Sequence, residues 1–215
     1  MFVDLSHPVV SSGEMTVFAG TPQPRLVRVA DVSRDGYAET EIDMFSHVGT
    51  HMDAPAHVLE GARTLDAFPV DAFVGTALSV DCRGMDASDR VTMERLACYG
   101  GMIDEVDFLL FDFGWDAHWG TPMYCAGHPC ISAEVAEYAV RSRKKGIGLD
   151  TLSVDPVDAG GLDLHKRLLR GGDMVIIENM TNLEKVGRVP FSLFALPLKY
   201  ENADGAPVRA IASVS

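Results

Sequence analysis

Alternating and β-branched apolar residues dominate the first third of the chain and predict β structure there. The pattern runs through the segments FVDLS, PRLVRVA and AETEIDMFS. Residues that favour turns, such as Gly20, Pro22 and Gly36, lie between these segments. We therefore expect strands joined as hairpins in this part of the chain.

Longer apolar runs in the rest of the chain alternate with amphipathic segments. Residues 74–82 and 106–114 read as buried strands, and 92–98 reads as a helix between them. The clearest helix follows Ser132 and runs through AEVAEYAVRSRKK to Gly146, because acidic residues occupy its first turn and basic residues its last. These segments predict a βαβ arrangement.

The last third repeats this alternation. The segment IGLD predicts a strand that ends at Asp150, 162–170 predicts a short helix, and 174–180 predicts another buried strand. Early hairpins followed by βα units indicate an α/β or α+β fold with a mostly β core and peripheral helices. No composition shift marks a boundary, so we expect one domain over residues 1–215.

Composition narrows the possible partners and locations. The chain has 31 acidic residues against 18 Lys and Arg, a formal charge of -13 that argues against binding to nucleic acid phosphates. The N-terminal MFVDLSHPVV lacks a basic signal-peptide region, and no segment has the roughly 18 to 20 apolar residues of a membrane span. The four cysteines form no CxxC pair. We expect a cytoplasmic protein without a membrane or nucleic acid partner.

The segment 46–57, SHVGTHMDAPAH, concentrates side chains that bind metal ions. The candidates are His47, His51, Asp53 and His57. Ligand atoms lie about 2.0 to 2.2 Å from zinc or manganese, so the side-chain ends must approach within roughly 4 Å of each other. Neither an ideal helix nor an ideal strand gathers all four. Gly49 and Pro55 permit a sharp bend, which predicts a bent strand end or loop. The alternative is four ordinary surface or core residues.

Two residues in the second half could complete a metal site. Glu178 lies inside the apolar segment MVIIENM, where an ionised carboxylate needs a cation or hydrogen-bond donors. His165 lies on the short helix before that strand, and the Gly171-Gly172 turn could fold the helix back onto it. The alternatives are a salt bridge from Glu178 to a nearby basic residue and an exposed His165.

Acidic and hydroxyl residues at the end of the predicted strand 146–149 could orient the ligands. Asp150, Ser153 and Asp155 are the candidates, since carboxylates often bind the outer ring nitrogen of a metal-ligating histidine. An Asx turn before Pro156 is an equally good explanation for Asp155.

Aromatic residues in 113–129 predict a long loop that could form the wall of a pocket for a flat substrate. Trp115, His118 and Trp119 are its candidate substrate contacts, and Phe18 in the early loop is a further one. The alternative is that the tryptophans only cover the core.

Taken together, these segments resemble the metal-dependent cyclase family, which includes bacterial kynurenine formamidase and isatin hydrolase. The motifs that carry the resemblance are DLSHP, HVGTHMDAPAH, GLDTLSVD, and LHKRLL leading to IIENM. The second of these matches the HxGTHxDxPxH signature of the family. The resemblance implies a swivelling β/β/α domain that forms homodimers or homotetramers.

The resemblance also implies roles for individual residues. It assigns metal binding to His47, His51, Asp53, His165 and Glu178, and catalysis to His57. The implied cofactor is one or two divalent ions, zinc or manganese, with Asp53 as a possible bridge. We expect an amide hydrolase acting on a small molecule, N-formylkynurenine first and a cyclic amide such as isatin second. A metal-dependent lyase and a binding protein with a structural ion are the rival hypotheses.

Overall fold

The computed structural model describes residues 1–11, 13 and 15–214. The strands are β1 (Phe2–Asp4), β2 (Arg25–Ala30), β3 (Glu39–Asp43), β4 (His51–Asp53), β5 (Val74–Asp81), β6 (Arg90–Val91), β7 (Phe108–Asp112), β8 (Cys130–Ile131), β9 (Gly146–Leu149), β10 (Val175–Glu178), β11 (Phe191–Pro197) and β12 (Gly205–Ser213). The α-helices are α1 (Val32–Asp35), α2 (Met93–Ala97), α3 (Met102–Glu105), α4 (Ala133–Arg141) and α5 (Asp163–Leu169).

Eight strands form the central sheet, in the order β1-β12-β11-β5-β7-β9-β10-β4. Because β4 also pairs with β12, seven of these strands close into a ring, and β1 is added at β12. The four central strands β5, β7, β9 and β10 are mutually parallel, whereas the others pair antiparallel. The result is an α/β fold with a closed, sheet-dominated core, which confirms the predicted fold class.

Apolar side chains pack on both faces of the parallel strands, which explains their continuous apolar sequences. On β7, Phe108 and Leu110 pack inside the ring with side chains of β11 and β12. Leu109 and Phe111 point to the other face, where they pack with residues of α4 and α5. The parallel strands β7, β9 and β10 are therefore buried on both faces, and the polar residues Asp150 and Asn179 follow directly after β9 and β10.

Two of the predicted elements differ from the structure. β2 and β3 form the expected antiparallel hairpin, but β1 pairs with β12 near the other end of the chain. The helix after Ser132 ends at Arg141 and not near Gly146. It ends early because Arg143 takes a left-handed conformation with φ of 52°.

The remaining predicted strands and helices are present with shifts of a few residues at their ends. Within the described residues, no helix combines the length and apolar character needed to cross a membrane.

Candidate metal centre

The antiparallel pairing of β4 with β10 brings the two halves of the candidate site together. His51 and Asp53 lie two residues apart on β4 and therefore share one face of the strand. In the register of the two strands, Glu178 lies directly opposite His51. A histidine and two carboxylates thus converge through strand pairing. The bend before β4 is where Gly49 has a φ of 71°, and it places His47 next to them.

The imidazoles of His47, His51 and His165 each have a ring nitrogen within 3.5 Å of at least one carboxylate oxygen. His51 Nε2 is 3.3 Å from Asp53 Oδ1 and 3.5 Å from Glu178 Oε2. His165 Nε2 is 3.2 Å from Glu178 Oε1 and 3.5 Å from Asp53 Oδ2. His47 Nδ1 is 2.7 Å from Asp53 Oδ1. The structure therefore brings together all five residues that the sequence analysis proposed as metal ligands.

The second ring nitrogen of each of these histidines is held by another group. His47 Nε2 lies 3.0 Å from Asp204 Oδ2. His51 Nδ1 lies 2.8 Å from the carbonyl oxygen of Gly49. His165 Nδ1 lies 2.7 Å from Asp155 Oδ2. Because a carbonyl or carboxylate accepts a proton from the outer nitrogen, the inner nitrogen is free to bind a cation.

The chemistry of the cluster fits a divalent metal ion. His51, Asp53, His165 and Glu178 are each at most 5% exposed. Asp53 Oδ2 is buried without a hydrogen-bond partner among the described residues. A buried carboxylate oxygen without a donor is costly unless a cation compensates it. Imidazole and carboxylate form a preferred ligand set for zinc, manganese and iron.

Among residues 1–11, 13 and 15–214, two groups of three are compact enough to hold an ion, and they share Asp53. One group is His51, Asp53 and Glu178, and the other is His47, Asp53 and His57.

Electrostatic interactions in the cluster are strong. Burial alone would raise the pKa of Asp53, but the facing His51, His165 and His47 lower it well below its ordinary value. Burial would likewise lower the pKa of His47, but hydrogen bonds to Asp53 and Asp204 raise it to about 9. In this site, protons and metal ions compete for the same imidazole nitrogens.

His57 differs from the other histidines of the cluster. It ends the 3₁₀ turn Pro55–His57, and its ring centroid lies 3.9 Å from that of His47 and 5.6 Å from that of His165. Its ring makes no hydrogen bond to any described residue, and burial lowers its pKa. His57 is therefore a neutral imidazole beside the cluster whose nitrogens are available to a substrate.

A cavity of about 760 Å³ opens over the cluster and exposes His47, His57 and Glu178 to it. Much of its wall is apolar, including Phe18, Phe45, Leu152, Val157 and Leu162. None of the described residues along this wall is a lysine or arginine. The cavity can therefore enclose an aromatic molecule next to the candidate metal ligands.

Three of the four predicted substrate contacts lie elsewhere. Phe18 lines the cavity, but Trp115, His118 and Trp119 do not. Trp115 is buried in the core beside the helices, where its indole nitrogen donates to the carbonyl oxygen of Tyr124. Trp119 stacks on His7 with ring centroids 4.0 Å apart. The tryptophans therefore belong to the packing behind the site, the alternative given for them above, and their contact with a substrate stays a prediction.

Of the three residues predicted to orient the ligands, two lie at the site and one, Asp150, makes no hydrogen bond to a described histidine. Asp155 binds His165, and Ser153 lines the cavity and accepts the backbone N–H of Asp155. Asp150 instead accepts the backbone N–H groups of Phe113 and Trp115, at 2.9 and 2.8 Å. Asp150 therefore holds the loop after β7 and not a histidine, contrary to the prediction.

Sequence reasoning missed Asp204 and Asn179. Asp204 precedes β12 and reaches His47 only because Gly205 pairs with Asp53 across β12 and β4. Asn179 follows Glu178, has a φ of 56°, and donates from Nδ2 to the carbonyl oxygen of Gly49. The position of Asn179 next to Glu178 could have identified it as part of the site, whereas no local sequence pattern identifies Asp204.

Both the sequence and the fold are similar to those of known proteins. A family model described as "Putative cyclase" matches residues 3–156. The kynurenine formamidase of Bordetella avium (strain 197N) is 33% identical over 97% of this chain and 95% of that protein. A solved structure described as a potential metal-dependent hydrolase with cyclase activity has a TM-score of 0.80 at 28% identity, covering 99% of this chain and 96% of that one. The fold also matches isatin hydrolase A from Labrenzia aggregata, with a TM-score of 0.87 at 23% identity over 100% of this chain and 93% of that one.

Proposed function

The chain belongs to the cyclase family, and on this premise we propose that it is a metal-dependent hydrolase of a carbon–nitrogen bond. The proposed substrate is N-formylkynurenine, and the products are kynurenine and formate. The observation that carries the proposal is the convergence of three histidines and two buried carboxylates beneath a cavity that also contains His57.

His47, His51, Asp53, His165 and Glu178 would hold one or two divalent ions, zinc or manganese. When bound, such an ion polarises a carbonyl and lowers the pKa of a coordinated water from 15.7 towards about 7. The outer hydrogen bonds of the three histidines keep their inner nitrogens directed at that position. Asp53 contacts His47, His51 and His165, so it would be the ligand that two ions share.

His57 is the proposed proton-transfer residue. Hydrolysis adds water across the amide: the oxygen bonds to the formyl carbon, the carbon–nitrogen bond breaks, and a proton passes to the leaving nitrogen. A neutral imidazole that faces the cavity can take that proton from the attacking water and donate it to the amine.

The cavity supports an aromatic substrate. Its volume of about 760 Å³ lies within the range of roughly 300 to 1,000 Å³ found for small-molecule sites. Phe18 and Phe45 offer apolar surface to an aryl ring at its wall. A cyclic aryl amide such as isatin would meet the same surface, and the fold likeness to isatin hydrolase A makes it the second candidate.

The proposal is tested by elemental analysis of protein purified without chelator, combined with turnover assays on N-formylkynurenine and isatin. We expect bound zinc or manganese, release of formate from N-formylkynurenine, and loss of turnover after chelation. A product other than formate would favour a lyase. Full activity in demonstrably metal-free protein would end the hydrolase model.

We also propose that residues 1–215 fold as one domain that assembles as a homodimer or homotetramer in the cytoplasm. The resemblance to the family supports the assembly, and the pairing of β1 with β12 supports the single domain. Light scattering on purified protein measures the assembly directly.

A further inference from the structure

Tyr124 is a fully buried tyrosine behind the candidate metal centre. It lies in the 3₁₀ turn Pro122–Cys125, within the aromatic segment that does not line the cavity. Its hydroxyl oxygen is 3.0 Å from the carbonyl oxygen of Asp150 and 3.0 Å from Asn179 Oδ1. Because a hydroxyl has one proton and both neighbours are acceptors, the two share it.

The hydrogen bond from Tyr124 fixes the side-chain amide of Asn179. Asn179 Oδ1 faces the Tyr124 hydroxyl, so its Nδ2 must point the other way, where it donates to the carbonyl oxygen of Gly49 at 3.0 Å. The backbone of Asn179 is also held, since its N–H donates to Thr151 and its carbonyl accepts from Thr50 Oγ1. Every polar group of Asn179 therefore has a partner.

The Gly49 carbonyl connects this network to a candidate ligand. It accepts from Asn179 Nδ2 and from His51 Nδ1, at 3.0 and 2.8 Å, which fills both of its lone pairs. Asn179 Nδ2 also lies 3.4 Å from His51 Nδ1, but the carbonyl is closer at 2.8 Å and can only accept, so the imidazole proton of His51 is placed on Nδ1. Its Nε2 lone pair faces Asp53 and Glu178.

We propose that Tyr124 is a positioning residue that acts through Asn179 and the Gly49 carbonyl to fix the tautomer and ring orientation of His51. Residues 113–129 do not line the cavity, but through Tyr124 this segment would still support the metal centre. The inference rests on the proposed metal-dependent function, since it concerns one of the proposed ligands.

The first test is metal affinity in Tyr124→Phe, measured by titration against a competing chelator with zinc and with manganese. The substitution removes one oxygen and leaves the ring packing in place. We expect affinity to fall by about tenfold, at the lower end of the range for residues that support metal ligands. Tyr138→Phe is the matched control, since it also removes a hydroxyl hydrogen bond, to Asp104 on the surface, and should leave affinity unchanged.

The second test uses metal-free protein and nitrogen-15 NMR of the histidine rings. In the unchanged protein, His51 should show one tautomer with the proton on Nδ1. In Tyr124→Phe we expect a second tautomer or exchange broadening at His51, with the His165 signals unchanged. If Tyr124→Phe does not fold, Asn179→Gly keeps the positive φ, removes the amide, and should show the same change.

The inference and the proposed function can fail separately. Absence of metal binding in the unchanged protein would defeat the proposed function, while the tautomer of His51 would still report on Tyr124. Wild-type metal affinity together with an unchanged His51 tautomer in folded Tyr124→Phe would overturn the inference alone.

Discussion

His165 Nδ1 lies 2.7 Å from a carboxylate oxygen of Asp155, and the same carboxylate contacts the first turn of α5, the helix that carries His165. Asp155 also accepts the backbone N–H groups of Leu164 and His165, at 2.8 and 3.0 Å. One side chain therefore orients the ring and holds the first turn of α5. The imidazole proton is placed on Nδ1, and Nε2 is directed at Asp53 and Glu178.

Asp155→Asn should weaken metal binding and destabilise the fold slightly. The amide keeps the volume but has only one acceptor oxygen for three donors. We expect metal affinity to fall by about 10- to 100-fold and the free energy of unfolding to fall by about 1 kcal/mol. Chelator competition and denaturant unfolding measure the two effects. Asp158→Asn, at an exposed position nearby, is the control, and equal affinities in the two variants would contradict the role of Asp155.

His57→Gln should abolish most turnover without removing the metal. The structure gives His57 no orienting carboxylate or carbonyl among the described residues, unlike His47, His51 and His165. Loss of a general acid–base group typically costs about 10²- to 10⁴-fold in rate. We expect kcat for formate release to fall within that range, with metal content unchanged by elemental analysis. Parallel loss of metal would instead identify His57 as a ligand.

Much of the candidate site could be predicted because its chemistry is concentrated in short segments. His51 and Asp53 lie on the same face of β4 because side chains two residues apart in a strand point the same way. Glu178 could be identified because it is an acidic residue inside an apolar strand. Asp204 could not be predicted, since it meets His47 across 157 positions of sequence. That contact depends on the pairing of β12 with β4, for which local sequence contains no signal.

The same distinction applies to the fold. Apolar runs and turn residues were sufficient for the strands around β7 and β9, because burial on both faces determines their composition. The closure of the ring could not be predicted, because it rests on long-range pairing by the three-residue strand β4. The position of the tryptophans of 113–129 could not be predicted because an aromatic ring suits a core as well as a cavity wall.

Gly205→Ala should damage the metal site through His47. A Cβ at Gly205 would collide with Cε1 of the His47 ring and lie 2.7 Å from its Nε2, and a ring cannot move aside as a flexible chain end can. We expect His47 to be displaced, with metal affinity falling by about tenfold or more. Gly171→Ala, where an added Cβ has no neighbour within 4 Å, should bind metal normally. Normal metal binding by Gly205→Ala would show that His47 is not a ligand.

His7 should make stability depend on pH in the acidic range. Burial lowers the pKa of His7 to about 4, although Asp116 acts in the opposite direction, and the ring stacks on Trp119. Between pH 6.5 and 4 the unfolded chain binds a proton at His7 that the folded chain does not. The contribution of His7 to stability is therefore present above pH 6.5 and is lost as the pH falls towards 4.

We expect the free energy of unfolding of the unchanged protein to fall relative to that of His7→Gln across this range. The slope should be at most about 1.4 kcal/mol per pH unit. Denaturant unfolding of both metal-free proteins at several pH values gives the difference. Parallel curves would mean that His7 is protonated as readily in the folded as in the unfolded chain.

Arg143→Gly should stabilise the protein, because Arg143 occupies a position that favours glycine. Its φ is 52°, its N–H bonds back to Val140, and the N–H of Lys144 bonds back to Ala139, the pattern of a Schellman helix end. Relief of the left-handed conformation is worth roughly 1 to 2 kcal/mol, part of which is lost to the greater freedom of unfolded glycine. We expect a net gain of about 0.5 to 1 kcal/mol in the free energy of unfolding. The control is Arg141→Gly within α4, which should lower the free energy of unfolding by a similar amount. A loss of stability in both variants would show that the Arg143 side chain contributes more than its backbone conformation costs.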